Sequence, residues 1–162
     1  MKDARLIALG VYLRELRIEP HDIEKFEGRK MTQKAVYLAQ YDGADLGYRY
    51  IWDSKGPYSP ALAEDYNALM QAYLINPKLL EGKTIIESYT SVIHKICDLI
   101  YSKDKPDLET HQWVELLASL HYLQKVSEFS YRKSRTYLGR EKPELSKYIS
   151  KAEAELKNVS LL

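Results

Sequence analysis

The chain has 162 residues, 45% hydrophobic and 29% charged, enough apolar material for one domain-sized core and too much for a disordered segment. Its 24 Lys and Arg balance 23 Asp and Glu to a net charge of +1, so no global field draws in a polyanion, and any nucleic-acid contact needs a local patch. Every apolar run is broken by charge too soon to span a bilayer, "MKDARLIALGVYLREL" lacks a signal peptide's apolar stretch, and the lone Cys97 excludes an intrachain disulfide.

A cytosolic protein without membrane partner, metal or other cofactor is therefore expected, since no Cys or His pair stands at zinc-ligand spacing either. Fourteen tyrosines beside two phenylalanines are unusual. Tyrosine buries its ring while its hydroxyl stays wet, so such a chain builds a core that reaches its surface, or a face that binds.

In chain order, residues 3–17 carry Leu6, Ile7, Leu9, Leu13 and Leu16 at helical spacing, with Asp3 as an N-cap. Beyond Pro20 a polar stretch, "HDIEKFEGRK", leads into "MTQKAVYLAQY", where Met31, Ala35, Leu38 and Ala39 share a helix face that Gly43 ends. The period then changes to two. Leu46, Tyr48, Tyr50 and Trp52 alternate with Gly47, Arg49 and Ile51, which predicts a strand over 45–52.

The stretch "KGPYSPALAEDY" reads as a strand-to-helix connector: Gly56-Pro57 is a turn, Ser59 a cap, and Pro60 the first residue of a helix ending near Asn76-Pro77. A strong helix follows over 84–100, with Ile85, Ile86, Tyr89, Val92, Ile93, Ile96, Leu99 and Ile100 in a wide apolar stripe. "SKDKPD" marks a subdomain boundary. Residues 1–102 are expected to form a helical domain with a short strand and the GPYS turn, and 107–162 a C-terminal helical subdomain packed on it. That second part holds a helix through Trp113, Leu116, Leu117, Leu120 and Leu123 and shorter ones near 130–138 and 144–157. The fold class is mostly α: a compact helical domain with one short strand or hairpin.

Little in the chain advertises chemistry. His94 and Cys97 lie one turn apart, but in the most apolar helix, where a free cysteine acts as a small hydrophobe. His111 and His121 are expected at the surface or its boundary and face different ways. Glu64 and Asp65 suit the start of a helix through its dipole. No catalytic residues are assigned, because phosphate-cradling glycine loops, metalloprotease motifs and nucleophile elbows are all missing. Two groups qualify for binding. Tyr48, Tyr50, Trp52 and Tyr58 form a candidate partner-binding aromatic set around the GPYS turn. Lys125, Tyr131, Arg132, Lys133, Arg135, Tyr137, Arg140 and Lys142 form a candidate nucleic-acid-binding set, in which basic residues are interleaved with aromatics.

The run "QKAVYLAQYDGADLGYRYIWDSKGPYSPALAEDYNAL" resembles the YwgA-like prokaryotic proteins, through Lys34, Tyr37 and Leu38, through Gly47, Tyr48 and Tyr50, and through Gly56, Pro57, Tyr58 and Ser59. More distantly it is similar to the phage-associated Panacea antitoxin domain. The resemblance implies a helical domain with winged-helix-like elements, in genomes where defence and toxin–antitoxin genes cluster, and it implies no reaction. The expected function is a non-enzymatic regulatory or interaction protein. It would bind a partner protein or itself, antitoxin-like or within a phage-defence or mobile-element system. The alternatives are a winged-helix-like DNA-binding regulator, and an enzyme whose site forms only in the fold.

Overall fold

The computed structural model describes residues 2–162; Met1 and the side chains of Lys2 and Asp3 fall outside the described residues, and with them the N-cap expected at Asp3. Among the described residues the chain forms seven α-helices and one two-stranded antiparallel hairpin, so the fold is mostly α, as expected. None of these helices is long and apolar enough to cross a membrane.

Helix α1 (Lys2–Glu15) buries Leu6, Leu9 and Leu13, with Leu16 buried in the turn after it, and Tyr12 donates its hydroxyl to the Ala44 carbonyl at 2.8 Å. It is closed by Ile18 N–H donating back to Leu13 O at 2.9 Å, with Arg17 in the left-handed region at φ 62°, a Schellman-type end. Helix α2 (Phe26–Tyr41) begins five residues earlier than the apolar pattern indicated, because Pro20–Glu24 forms a 3-10 turn and Lys25 then leads straight into it. The polar stretch is thus helical. Its face carries charge where periodicity looks for carbon.

Between α2 and α3 the strand expected over 45–52 is cut back to Ile51–Asp53: residues 44–50 form no strand, and Gly47, whose N–H donates to the Asp45 carboxylate at 2.7 Å, turns the chain at a left-handed φ of 82°. Leu46, Tyr48, Tyr50 and Trp52 are half-buried while Gly47, Arg49 and Ile51 are exposed, so the period of two holds. Yet the ladder exists only between β1 (Ile51–Asp53) and β2 (Gly56–Tyr58), in the register Ile51–Tyr58, Trp52–Pro57 and Asp53–Gly56. Two glutamines of α2, two turns apart, stand in for the missing strand. The Gln40 amide donates to Tyr48 O at 2.7 Å and accepts from Tyr48 N–H at 3.1 Å. Gln33 does the same for Ser59, at 2.9 and 2.8 Å. Gly56 is demanded twice: its φ is 103°, and a Cβ there would collide with Ser119 Oγ.

Helix α3 (Pro60–Ile75) starts as its sequence says, Ser59 Oγ accepting from Leu62 N–H at 3.2 Å with Pro60 at the first position. Asp65 does more than favour the helix start, since it binds Arg5 at 3.0 Å and the Tyr48 hydroxyl at 2.7 Å. Helix α4 is shorter than its stripe, running Glu87–Ile100, with Ile86 exposed and Ile85 half-buried in the preceding loop. Helix α5 (Thr110–Lys125) is the central element, with Trp113, Val114, Leu116, Leu117, Ala118 and Leu120 fully buried. Helices α6 (Tyr131–Glu141) and α7 (Ile149–Asn158), joined by a 3-10 turn at Pro143–Tyr148, complete the chain. The loop at 102–107 does not divide the core: one apolar cluster runs from Leu6 to Leu161, and Trp113 donates across the loop to Leu99 O at 3.3 Å.

Candidate cationic binding site

Lys30 and Lys34 lie four residues apart on the face of α2 turned to α5, where the fold buries both. Glu115 of α5 meets them there. Its carboxylate accepts from Lys30 Nζ at 2.7 Å and from Lys142 Nζ at 2.6 Å, with all three side chains at most 7% exposed. Lys142 also donates to Ser54 O in the hairpin turn at 2.8 Å. Lys34, 1% exposed, has no carboxylate of its own and donates to Pro57 O at 2.8 Å.

Two buried lysines therefore share one buried glutamate and a third has only a carbonyl, a surplus of two positive charges (3 − 1) under the hairpin. Burial lowers the Lys34 ammonium from its ordinary 10.5 to about 8; Glu115 and, more weakly, Asp53 pull it back up, and Lys142 and Lys30 push it further down. The Glu115 carboxyl is held below its usual range: burial opposes this, and the two lysine hydrogen bonds and charges outweigh it. The surplus faces a cavity of about 260 Å³ whose cationic walls are Arg29, Lys30, Lys34 and Lys55, whose aromatic walls are Phe26, Tyr58 and Tyr66, and whose one carboxylate is the exposed Asp53. Such a cavity is built to stabilise an anion. An uncompensated buried charge is costly, and a ligand carboxylate or phosphate supplies the missing partner.

The expected residues fall into three places. Tyr58 lines this cavity, half-buried and available. It does not join Tyr48, Tyr50 and Trp52 in one patch: Trp52 pairs with Pro57 and Tyr58 with Ile51, so Trp52 and Tyr58 leave opposite faces of the hairpin. Tyr48 is engaged by Asp65, Tyr50 packs edge-on against Tyr37 at 5.2 Å, and Trp52 packs on Tyr122 at 5.5 Å and Tyr137 at 6.0 Å.

The basic C-terminal set is also divided. Lys125, Arg132, Lys133, Arg135 and Arg140 are exposed, with Lys133 over the Phe129 ring at 4.0 Å. Tyr131 is half-buried and its hydroxyl meets Ser150 Oγ at 3.4 Å, while Tyr137 packs on Trp52 and Phe129. Lys142 leaves the set altogether, drawn inside by Glu115. His121 is a second correction: it is fully buried, with Nδ1 2.7 Å from the Tyr37 hydroxyl, and burial first, then Lys125, lowers its pKa to about 4.

His94 turns outward to Glu15 at 3.0 Å, whereas Cys97 is buried with its thiol pushed up by burial, so they form no nucleophile–base pair. Among the described residues no group of three or more His, Cys, Asp or Glu side chains is placed to hold a metal ion. The cluster of Lys30, Lys34, Glu115 and Lys142 was missed from sequence, although Lys30 and Lys34 at i and i+4 inside an apolar stripe were its visible trace. The chain matches no protein-family model, and no curated protein or solved structure is significantly similar to it.

Proposed function

We propose that the protein is a non-enzymatic regulatory binding protein that holds a partner protein by an acidic segment, seating a carboxylate in the cationic cavity beneath the GPYS turn. The surplus of buried ammonium groups around Glu115 carries this reading, because Glu115 answers only part of it and the one carboxylate of the cavity wall, Asp53, is exposed to solvent. Tyr58 and Phe26 add aromatic area of the kind that anchors a peptide at low entropic cost. The antitoxin-like role implied by the sequence resemblance fits a protein that works by occupying a partner in this way.

A second reading is supported by the exposed Arg132, Lys133, Arg135 and Arg140, which suit phosphate contact by a DNA-binding regulator. A labelled decaglutamate peptide and a labelled DNA duplex, titrated at low and physiological salt, separate the two. Peptide binding that Lys55→Glu and Tyr58→Ala weaken at unchanged Tm supports the acidic-segment reading. Duplex binding that falls steeply with salt and is lost on neutralising the four α6 charges replaces it.

A further inference from the structure

At the other end of the same α2 face, one to two turns beyond Lys34, the lining changes from ammonium to tyrosine. A cavity of about 310 Å³, at the lower end of the ~300–1,000 Å³ typical of small-molecule sites, is lined by Tyr37, Tyr41, Tyr50, Tyr122, Gln40 and Asp45. The rings of Tyr41, Tyr50 and Tyr122 stand 6.3, 5.2 and 6.0 Å from that of Tyr37, tilted by 44°, 71° and 48°, and Tyr41 and Tyr122 also pack on His121 and Trp52, so the cavity is bordered by one aromatic cluster.

The polar atoms around it select for charge. The Gln40 amide is consumed by Tyr48, and the Tyr37 hydroxyl by His121. The Tyr50 hydroxyl is buried with no hydrogen-bond partner. Asp45 is exposed and supplies the lining's one formal charge, a negative one. His121 behind the wall is neutral near pH 7, and the two cations that adjoin wall residues in sequence, Arg49 beside Tyr50 and Lys125 beside Val126, are both exposed and do not line the cavity.

We propose that this cavity binds an alkylammonium group of the trimethylammonium type, held by cation–π contact with Tyr41, Tyr50 and Tyr122 and by the charge of Asp45. Negative ring faces attract a methylated ammonium, whose diffuse charge needs no hydrogen-bond acceptor. A neutral group of the same shape gains the apolar contact alone. The site is independent of the cationic cavity and is tested apart from it.

The test uses the full chain, with choline and its uncharged isostere 3,3-dimethyl-1-butanol, followed by Trp52 fluorescence, since Trp52 lies 5.5 Å from Tyr122. Saturable choline binding, roughly tenfold or more tighter than the isostere, is expected. Tyr122→Leu and Asp45→Asn weaken it, and Lys55→Glu in the other cavity leaves it unchanged. Equal binding of choline and the isostere overturns the proposal, leaving an apolar pocket, as does no choline binding to the unaltered chain. A trimethyllysine peptide that binds more tightly than choline supports the proposal with the cation on a protein; choline binding at least as tightly supports it with a free small molecule.

Discussion

Lys34 Nζ donates to the carbonyl of Pro57 at 2.8 Å, which ties the most buried ammonium of α2 to the GPYS turn. The bond satisfies the lysine geometrically but not electrostatically, because a carbonyl carries no charge. Its pKa of about 8 in the fold, against 10.5 ordinarily, makes stability depend on pH. Between these values the unfolded chain holds a proton that the folded chain has released, so stability rises with pH. Lys34 alone contributes a gain of about 2 kcal/mol from pH 7 to 9.5. Cys97 and the buried tyrosines, whose pKa values burial raises, oppose it in the same window, so it is read as the difference from a Lys34→Met variant. Urea-derived stabilities of the unaltered chain and Lys34→Met should therefore diverge by about 2 kcal/mol in favour of the unaltered chain over that interval, and parallel curves would place the titration elsewhere. Above pH 10 the trend reverses, because burial raises the pKa of Tyr12, Tyr37 and Tyr101, and the unfolded chain ionises first.

The acid limb belongs to His121. Its pKa of about 4 lies below the ordinary 6.5, so between these values the unfolded chain binds a proton that the folded chain refuses. Stability should fall by roughly 3 kcal/mol from pH 7 to 4 through this group alone. His121→Asn keeps an acceptor for the Tyr37 hydroxyl and does not titrate, so its urea midpoint should fall less over the same interval. Equal slopes for the two proteins would place the acid sensitivity elsewhere.

What could be read from the sequence was what obeys a local rule. Ser59 and Pro60 open α3 as expected, because a cap and a proline act within one turn. The alternation from Leu46 to Trp52 was legible as burial and not as pairing: periodicity reports which side is covered, whereas the Gln40 side chain that replaces a strand leaves no periodic trace. The cationic cluster was illegible for a similar reason. Glu115 and Lys142 are 27 residues apart, and Lys142 read as a member of a basic patch while nothing marked Glu115. Only the fold puts 2.6 Å between them.

Ser59→Ala should cost about 1 kcal/mol, measured by urea denaturation, since the Leu62 N–H loses its acceptor. Gly56→Ala should cost more. It combines a left-handed backbone with a collision at Ser119, and neither is relieved by a rotamer change at the new methyl.

Lys142→Ala should destabilise by about 3 kcal/mol, near the lower end for a broken buried pair, because Glu115 keeps Lys30. Arg140→Ala, two residues away and exposed, should change stability by less than about 0.5 kcal/mol. Similar losses for both would mean that Lys142 is not held inside by Glu115.

The titration of Lys34 itself, followed by NMR of ¹³Cε-labelled lysine with and without decaglutamate, tests the central claim most directly. An anion seated in the cavity favours the protonated amine, so the Lys34 titration should move from about 8 towards 10.5 when the peptide is bound, while the exposed lysines hardly shift. A Lys34 that titrates near 10.5 in the free protein, or whose titration the peptide leaves in place, would contradict a cationic cavity that lacks its anion.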